Sequence, residues 1–140
     1  MAETSSQTVC VNFITDFPFS SLACLASLGM QNRRITAAQL SASSQWDGYH
    51  SPDRARLHNQ RSGSYRESWS VGDGQNNIYQ WIQIDLRIKT RVTYVATQGR
   101  VEFSQWITSY KLYFSDDGSS FQGFVQQGKN AVKVGYVSYV

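Results

Sequence analysis

His50 and His58 stand eight positions apart, and neither belongs to an H-E-x-x-H run. The chain also lacks a G-x-S-x-G nucleophile turn and a phosphate-binding P-loop. Its adjacent carboxylates, Asp116 and Asp117, precede Gly118 and read as a hairpin turn rather than as an acid–base pair. Cys10 and Cys24 fit no zinc spacing, and two histidines are too few to complete a ligand set. These cysteines pair with each other, stay free, or await a partner outside the chain. No catalytic activity, metal or cofactor is expected, which leaves non-covalent recognition.

Three loops carry side chains suited to recognition. Gln45 to His50 holds Trp46, Asp47, Tyr49 and His50 around the Asp47-Gly48 turn pair. Trp46 lies outside any strand alternation, so it either plugs the end of the core or meets a partner. The polar tips of Tyr49 and His50 suit a phosphate or a sugar hydroxyl. Arg100 to Ser104 supplies a cation, Arg100, and an apolar wedge, Phe103. Arg100 can equally pair with Glu102 or with a core acid. Ser70 to Tyr79 is a polar glycine loop in which Asp73 and Asn76 are candidate sugar or cation contacts. The candidate ligand residues are Trp46, Asp47, Tyr49, His50, Arg100 and Phe103. Apolar tips ringed by arginine suit a membrane surface with anionic phospholipid headgroups. The same mixture suits a cell-surface glycan stacked on an aromatic face, or a hot spot for an extracellular protein.

The elements that must position these loops are short strands. Leu40 and Ala42 mark one strand with a single buried face. Ile82, Ile84 and Leu86 alternate with Gln83, Asp85 and Arg87, which is period two. Val92, Tyr94 and Ala96 give a further strand, and Tyr110, Leu112 and Phe114 another, within Trp106 to Ser115. Asp116-Asp117-Gly118 then turns the chain into a returning strand over 121–125. Frequent turn signals, regular short strands and the absence of a long amphipathic pattern give an all-β sandwich or barrel.

The chain has 140 residues, enough for one domain with a real core; 14% of them are aromatic and 16% charged. Nine of its thirteen basic residues are arginine, and the net charge is +3. Residues 24–100 hold ten basic and five acidic side chains, an excess that attracts anionic lipid or another polyanion. The arginines form no helix or stripe, so nucleic acid is not an expected partner. Residues 1–23 show no trustworthy periodicity and read as a leader outside the fold, with a degenerate signal peptide ending near Ala23 as one version. The apolar run over 9–28 is interrupted by Asp16 and Pro18, so it does not read as a membrane span.

Several runs resemble the discoidin domain, also called the coagulation factor V/VIII type C domain. In chain order they are CLASLGM from Cys24, SASSQ from Ser41, ARL from Ala55, WIQIDL from Trp81, VTYVATQGR from Val92 and WITSYKLYFSDDG from Trp106. Each is weak alone, and their order makes the resemblance. It implies a domain over residues 24–140 with a jelly-roll-like, galactose-binding-domain-like β-sandwich and loops projecting from one end. It also implies a non-enzymatic adhesion module at the cell surface or outside the cell. The aromatic 45–50 loop and the 100–104 loop match projecting loops of that family, and phospholipid, galactose-type glycan and collagen-like protein are its kinds of partner. By the same plan Cys24 is the first cysteine of a terminal pair, and Arg56 of the ARL run is a structural arginine in need of an acidic partner, with Asp85 the candidate. The AVKVGYVSYV ending lacks the second cysteine and a late tryptophan, so two or three strands are expected to be missing, with Val132–Val140 available to fill one.

Overall fold

A computed structural model describes residues 7–8, 27–75, 77–90, 92, 95–100, 103–107 and 109–124. Expectations for Cys10, Cys24, Asn76, Tyr94, Glu102 and the tail beyond 124 fall on residues outside these.

The alternation of Ile82 and Ile84 with Gln83 produces the central pairing. Strand β2 (Leu40–Ala42) runs antiparallel to β3 (Ile82–Ile84), with Leu40 opposite Ile84 and Ala42 opposite Ile82. The ladder continues at both ends, where Ser43 N donates to Trp81 O at 2.9 Å and Asp85 N donates to Gln39 O at 2.8 Å. The inward residues feed two adjoining cores. Ile84 and Leu40 pack with Leu28, Met30, Ile35 and Leu86, joined by Val92, Val95 and Leu112. Ile82 and Ala42 pack with Ala55, Trp69 and Val71. Each buried isoleucine contributes about 1.5–3 kcal/mol through the apolar surface it removes from water.

Two more antiparallel pairs complete the described strands. β5 (Tyr113–Phe114) pairs with β6 (Gln122–Gly123), and Phe124 N extends the pair by donating to Leu112 O at 2.8 Å. The expected hairpin turn lies between them. Asp117 accepts from Ser119 N at 2.8 Å, Ser120 N at 2.7 Å and the Ser115 hydroxyl at 2.8 Å. These donors hold its carboxyl far below the usual carboxylate range. The regular strand is shorter than the 106–115 alternation suggests, and Leu112 faces the core while Phe114 is partly exposed. β4 (Ala96–Thr97) pairs with β1 (Gln7–Thr8), two residues of the segment read as a leader. An edge such as β4 offers unpaired amides and carbonyls to any β-prone residues nearby.

The turns on either side of β2, over residues 29–35 and 52–56, are tied to each other by polar spokes. Gly29 takes φ +121°, and a Cβ there would lie 2.5 Å from Arg34 Cβ, so the turn that lets Ile35 N reach Gly29 O at 3.1 Å requires glycine. Arg56, 2% exposed, sits inside this turn. It donates to Met30 O at 2.7 Å, Ile35 O at 2.8 Å and Asp53 O at 2.8 Å, and its Nη2 pairs with Asp53 Oδ1. The partner of Arg56 is therefore Asp53 rather than Asp85. Asp53 is three residues away on the 3-10 turn Pro52–Arg54. Asp85 instead caps its own turn, taking Arg87 N at 2.7 Å and Arg87 Nε at 2.9 Å. Strands and 3-10 turns account for all regular structure among the described residues, so the fold is all-β.

Candidate functional site

Asp47 shapes the first loop. Its carboxylate accepts from Tyr49 N at 2.8 Å and His50 N at 3.0 Å, starting the 3-10 turn Gly48–His50. The same oxygen lies 2.8 Å from His50 Nδ1, and because a carboxylate only accepts, that nitrogen carries the proton. The His50 hydrogen bond is the main reason the Asp47 carboxyl is held below its ordinary value. His50 is turned inward at 8% exposure, whereas Trp46 and Tyr49 keep 55% and 47% of their surface in solvent.

The loop is fastened to the segment over 65–70. Trp46 N donates to Ser70 O at 2.8 Å, Ser70 N to His50 O at 3.3 Å, and Arg66 N to Tyr49 O at 3.0 Å. Trp69 anchors that segment in the core and donates through its indole N–H to Ser44 O at 2.9 Å. Beside the loop, Ser62 and Tyr65 exchange main-chain bonds at 3.1 and 3.0 Å. Tyr65 is 53% exposed, and its ring meets Tyr49 edge-on, with centroids 5.7 Å apart.

The second loop hangs on the same segment from another residue. Gly99 lets the chain close on itself: a Cβ there would lie 3.2 Å from Gln105 O, and Arg100 N donates to that carbonyl at 2.8 Å. Arg100 then turns inward. Its Nε donates to Glu67 Oε1 at 2.7 Å and its Nη1 to Gln105 Oε1 at 3.0 Å, and the guanidinium covers the Phe103 ring at 4.1 Å. Of the pairings open to Arg100 from sequence, the structure has the core acid. Burial opposes ionisation of Glu67. The Arg100 hydrogen bond, a backbone bond and the charges of Arg100 and Arg66 outweigh it and hold the carboxyl below its ordinary value. Glu67 Oε2, Ser68 Oγ and Ser70 Oγ are buried without a hydrogen-bond partner among the described residues.

The third loop is pinned by Ser44, whose hydroxyl accepts from Gly72 N at 3.0 Å and donates to Gln80 Oε1 at 2.7 Å. Asp73 is exposed on it, but its most prominent side chains are Ile78 and Tyr79, at 89% and 76% exposure.

The six expected ligand residues thus form two layers. Trp46, Tyr49 and Phe103 are exposed, His50 and Arg100 are turned inward, and the Asp47 carboxylate, 41% exposed, caps the turn that carries Tyr49. The 65–70 segment brings the first two loops onto one support, through different residues. Tyr65, Glu67 and Ile78 were not singled out from the sequence. Tyr65 had a signal, an aromatic directly after the Gly63-Ser64 turn, whereas Glu67 had none, since its partner lies 33 positions away. Among the described residues no group of three His, Cys, Asp or Glu could hold a metal, and no helix is long and apolar enough to cross a membrane.

An all-β scaffold whose strands end in aromatic loops around a fixed polar layer is the class of a ligand-binding module. The chain belongs to the F5/8 type C domain family, whose model matches residues 39–138. It is also 36% identical to Neuropilin-2 of Rattus norvegicus over 118 residues, 81% of this chain. The chain spans 12% of the length of that relative. No solved structure matches it.

Proposed function

We propose that this chain is a non-enzymatic, extracellular binding module that engages a cell-surface glycan through Trp46, Tyr49 and Phe103. In this reading the short sheets belong to a jelly-roll-like sandwich of the galactose-binding type, and the three loops form its ligand end. One observation carries the choice of ligand. The aromatic rings of this end are exposed, while Arg100 and Arg54 serve the scaffold. Arg100 is bonded to Glu67, and Arg54 donates to Arg66 O and Gln60 O. Recognition then rests on ring faces and hydrogen-bonding tips more than on free positive charge. Tyrosine and tryptophan suit such contacts because they present a large rigid face with a polar edge. Asp47, His50 and Arg100 act as the inner layer that fixes the rings before the ligand arrives, which lowers the ordering cost of binding.

The exposure of Phe103 and Ile78 favours a second reading, insertion of these tips into a membrane bearing anionic phospholipid. A glycan array and a liposome sedimentation assay separate the two. The glycan reading predicts discrete array hits that Trp46→Ala removes, with no sedimentation. Sedimentation that needs phosphatidylserine, together with a blank array, refutes it in favour of lipid.

A further inference from the structure

We infer that Tyr49 and Tyr65 form a second sugar subsite beside Trp46, so that the preferred ligand is an oligosaccharide rather than a single sugar. The inference rests on the glycan reading above and adds to it a subsite and a ligand length. The two rings stand at 78° to each other with centroids 5.7 Å apart, and the two residues that form this corner are both about half exposed. The backbone that carries each ring is tied down. Tyr49 is held by Arg66 N on its carbonyl, and Tyr65 by its paired bonds with Ser62. The Arg54 guanidinium lies 5.9 Å from the Tyr65 centroid and is itself held by Gln60 O at 2.8 Å and by Arg66 O. A pre-formed aromatic corner is matched by a pyranose, whose C–H face lies on one ring while its rim hydroxyls reach the phenol oxygens.

The neighbouring charge selects against other occupants. A cationic group on the Tyr65 ring would be repelled by the Arg54 guanidinium, 5.9 Å from its centroid, so a cation–π ligand is disfavoured. A neutral or acidic sugar is not. Trp46 and Tyr49 are three residues apart, so their Cα atoms lie within roughly 11 Å, the reach of the chain. A single pyranose covers one of these positions, and a short oligosaccharide covers both. Trp46 and Tyr49 then serve every ligand, whereas the Tyr65 side of the corner is felt only by ligands of two or more units.

The test is a glycan array of mono- to hexasaccharides, neutral and acidic, probed with the full chain and followed by titration of the best hit and its shorter fragments. Affinity is expected to rise at least tenfold from one unit to the longer members. Tyr65→Ala is expected to lower affinity for the longer members by about tenfold and to leave the shortest unchanged. Tyr65→Phe, which keeps the ring, is expected to retain most of the gain. Equal affinity for mono- and oligosaccharides, or a length gain that Tyr65→Ala does not touch, overturns the subsite while leaving the glycan reading in place. A blank array overturns both.

Discussion

Arg100 Nε donates to Glu67 Oε1 at 2.7 Å, with the two side chains only 10% and 2% exposed. Through this bond a loop aromatic, Phe103, is positioned by a residue 33 positions upstream of its own cation. The buried pair is the joint between the scaffold and the second loop. Removing either partner strands the other in a low-dielectric setting.

Glu67→Gln and Arg100→Met are each expected to lower stability by about 3–5 kcal/mol, because an unpaired charge or an orphaned polar group stays buried. The double variant Glu67→Gln with Arg100→Met is expected to lose less than the two single losses combined. Urea denaturation of the four proteins measures the coupling. Simple additivity would mean that the pair is not a unit.

The acid limb of the stability curve follows from the same residue and from the hairpin turn. The carboxyls of Glu67 and Asp117 are both held below their ordinary values of 4.5 and 3.8 in the folded chain. A depressed folded pKa means that the unfolded chain takes up protons first as the solution is acidified. Their contribution is complete above those ordinary values and is lost as pH falls through the folded ones. Denaturation midpoints are therefore expected to stay level from neutral pH to about pH 5 and to drop below it. In Glu67→Gln and Asp117→Asn that drop is expected to be shallower, each variant starting from a lower plateau. An unchanged acid limb in both would show that other groups set it.

Ile84→Ala is expected to cost about 2–5 kcal/mol, since Ile84 is 2% exposed and sits where the Leu40 pairing meets the larger core. The thermal midpoint is expected to fall while ligand specificity at the loops stays unchanged. A loss below 1 kcal/mol would mean that the core closes over the gap with little penalty.

Gly29→Ala is expected to destabilise by more than an ordinary surface change, because the new Cβ would both meet Arg34 and require φ +121°. Since Arg56 donates to Met30 O and Ile35 O within that turn, hydrogen exchange is expected to speed up over residues 29–35 before the rest of the domain. Uniform acceleration everywhere would place the turn in the global unfolding unit instead.

Local pattern made the strands and turns legible. The period-two run Ile82–Leu86 announced its own buried face, and Asp116-Asp117-Gly118 announced its hairpin, because both are set by residues within a few positions of each other. The exposed aromatics Trp46 and Phe103 were readable for the same reason, as large rings on turn-rich segments. Long-range pairing was not readable. Nothing near Glu67 marks it as the acceptor for Arg100, and Asp85 was the partner expected for Arg56, whereas the turn geometry supplies Asp53. Tyr65 gains its meaning only from Tyr49, and their meeting depends on how the 45–50 loop lies against the 65–70 segment.

The central claim, that the loop end recognises a glycan by aromatic contact rather than by charge, is tested most directly by titrating wild type and Trp46→Ala with the best array hit at low and at high salt. Wild-type binding is expected to change little with salt, and Trp46→Ala, folded as stably as wild type, is expected to bind at least tenfold more weakly. Binding that collapses in high salt, or that survives loss of the Trp46 ring undiminished, contradicts it.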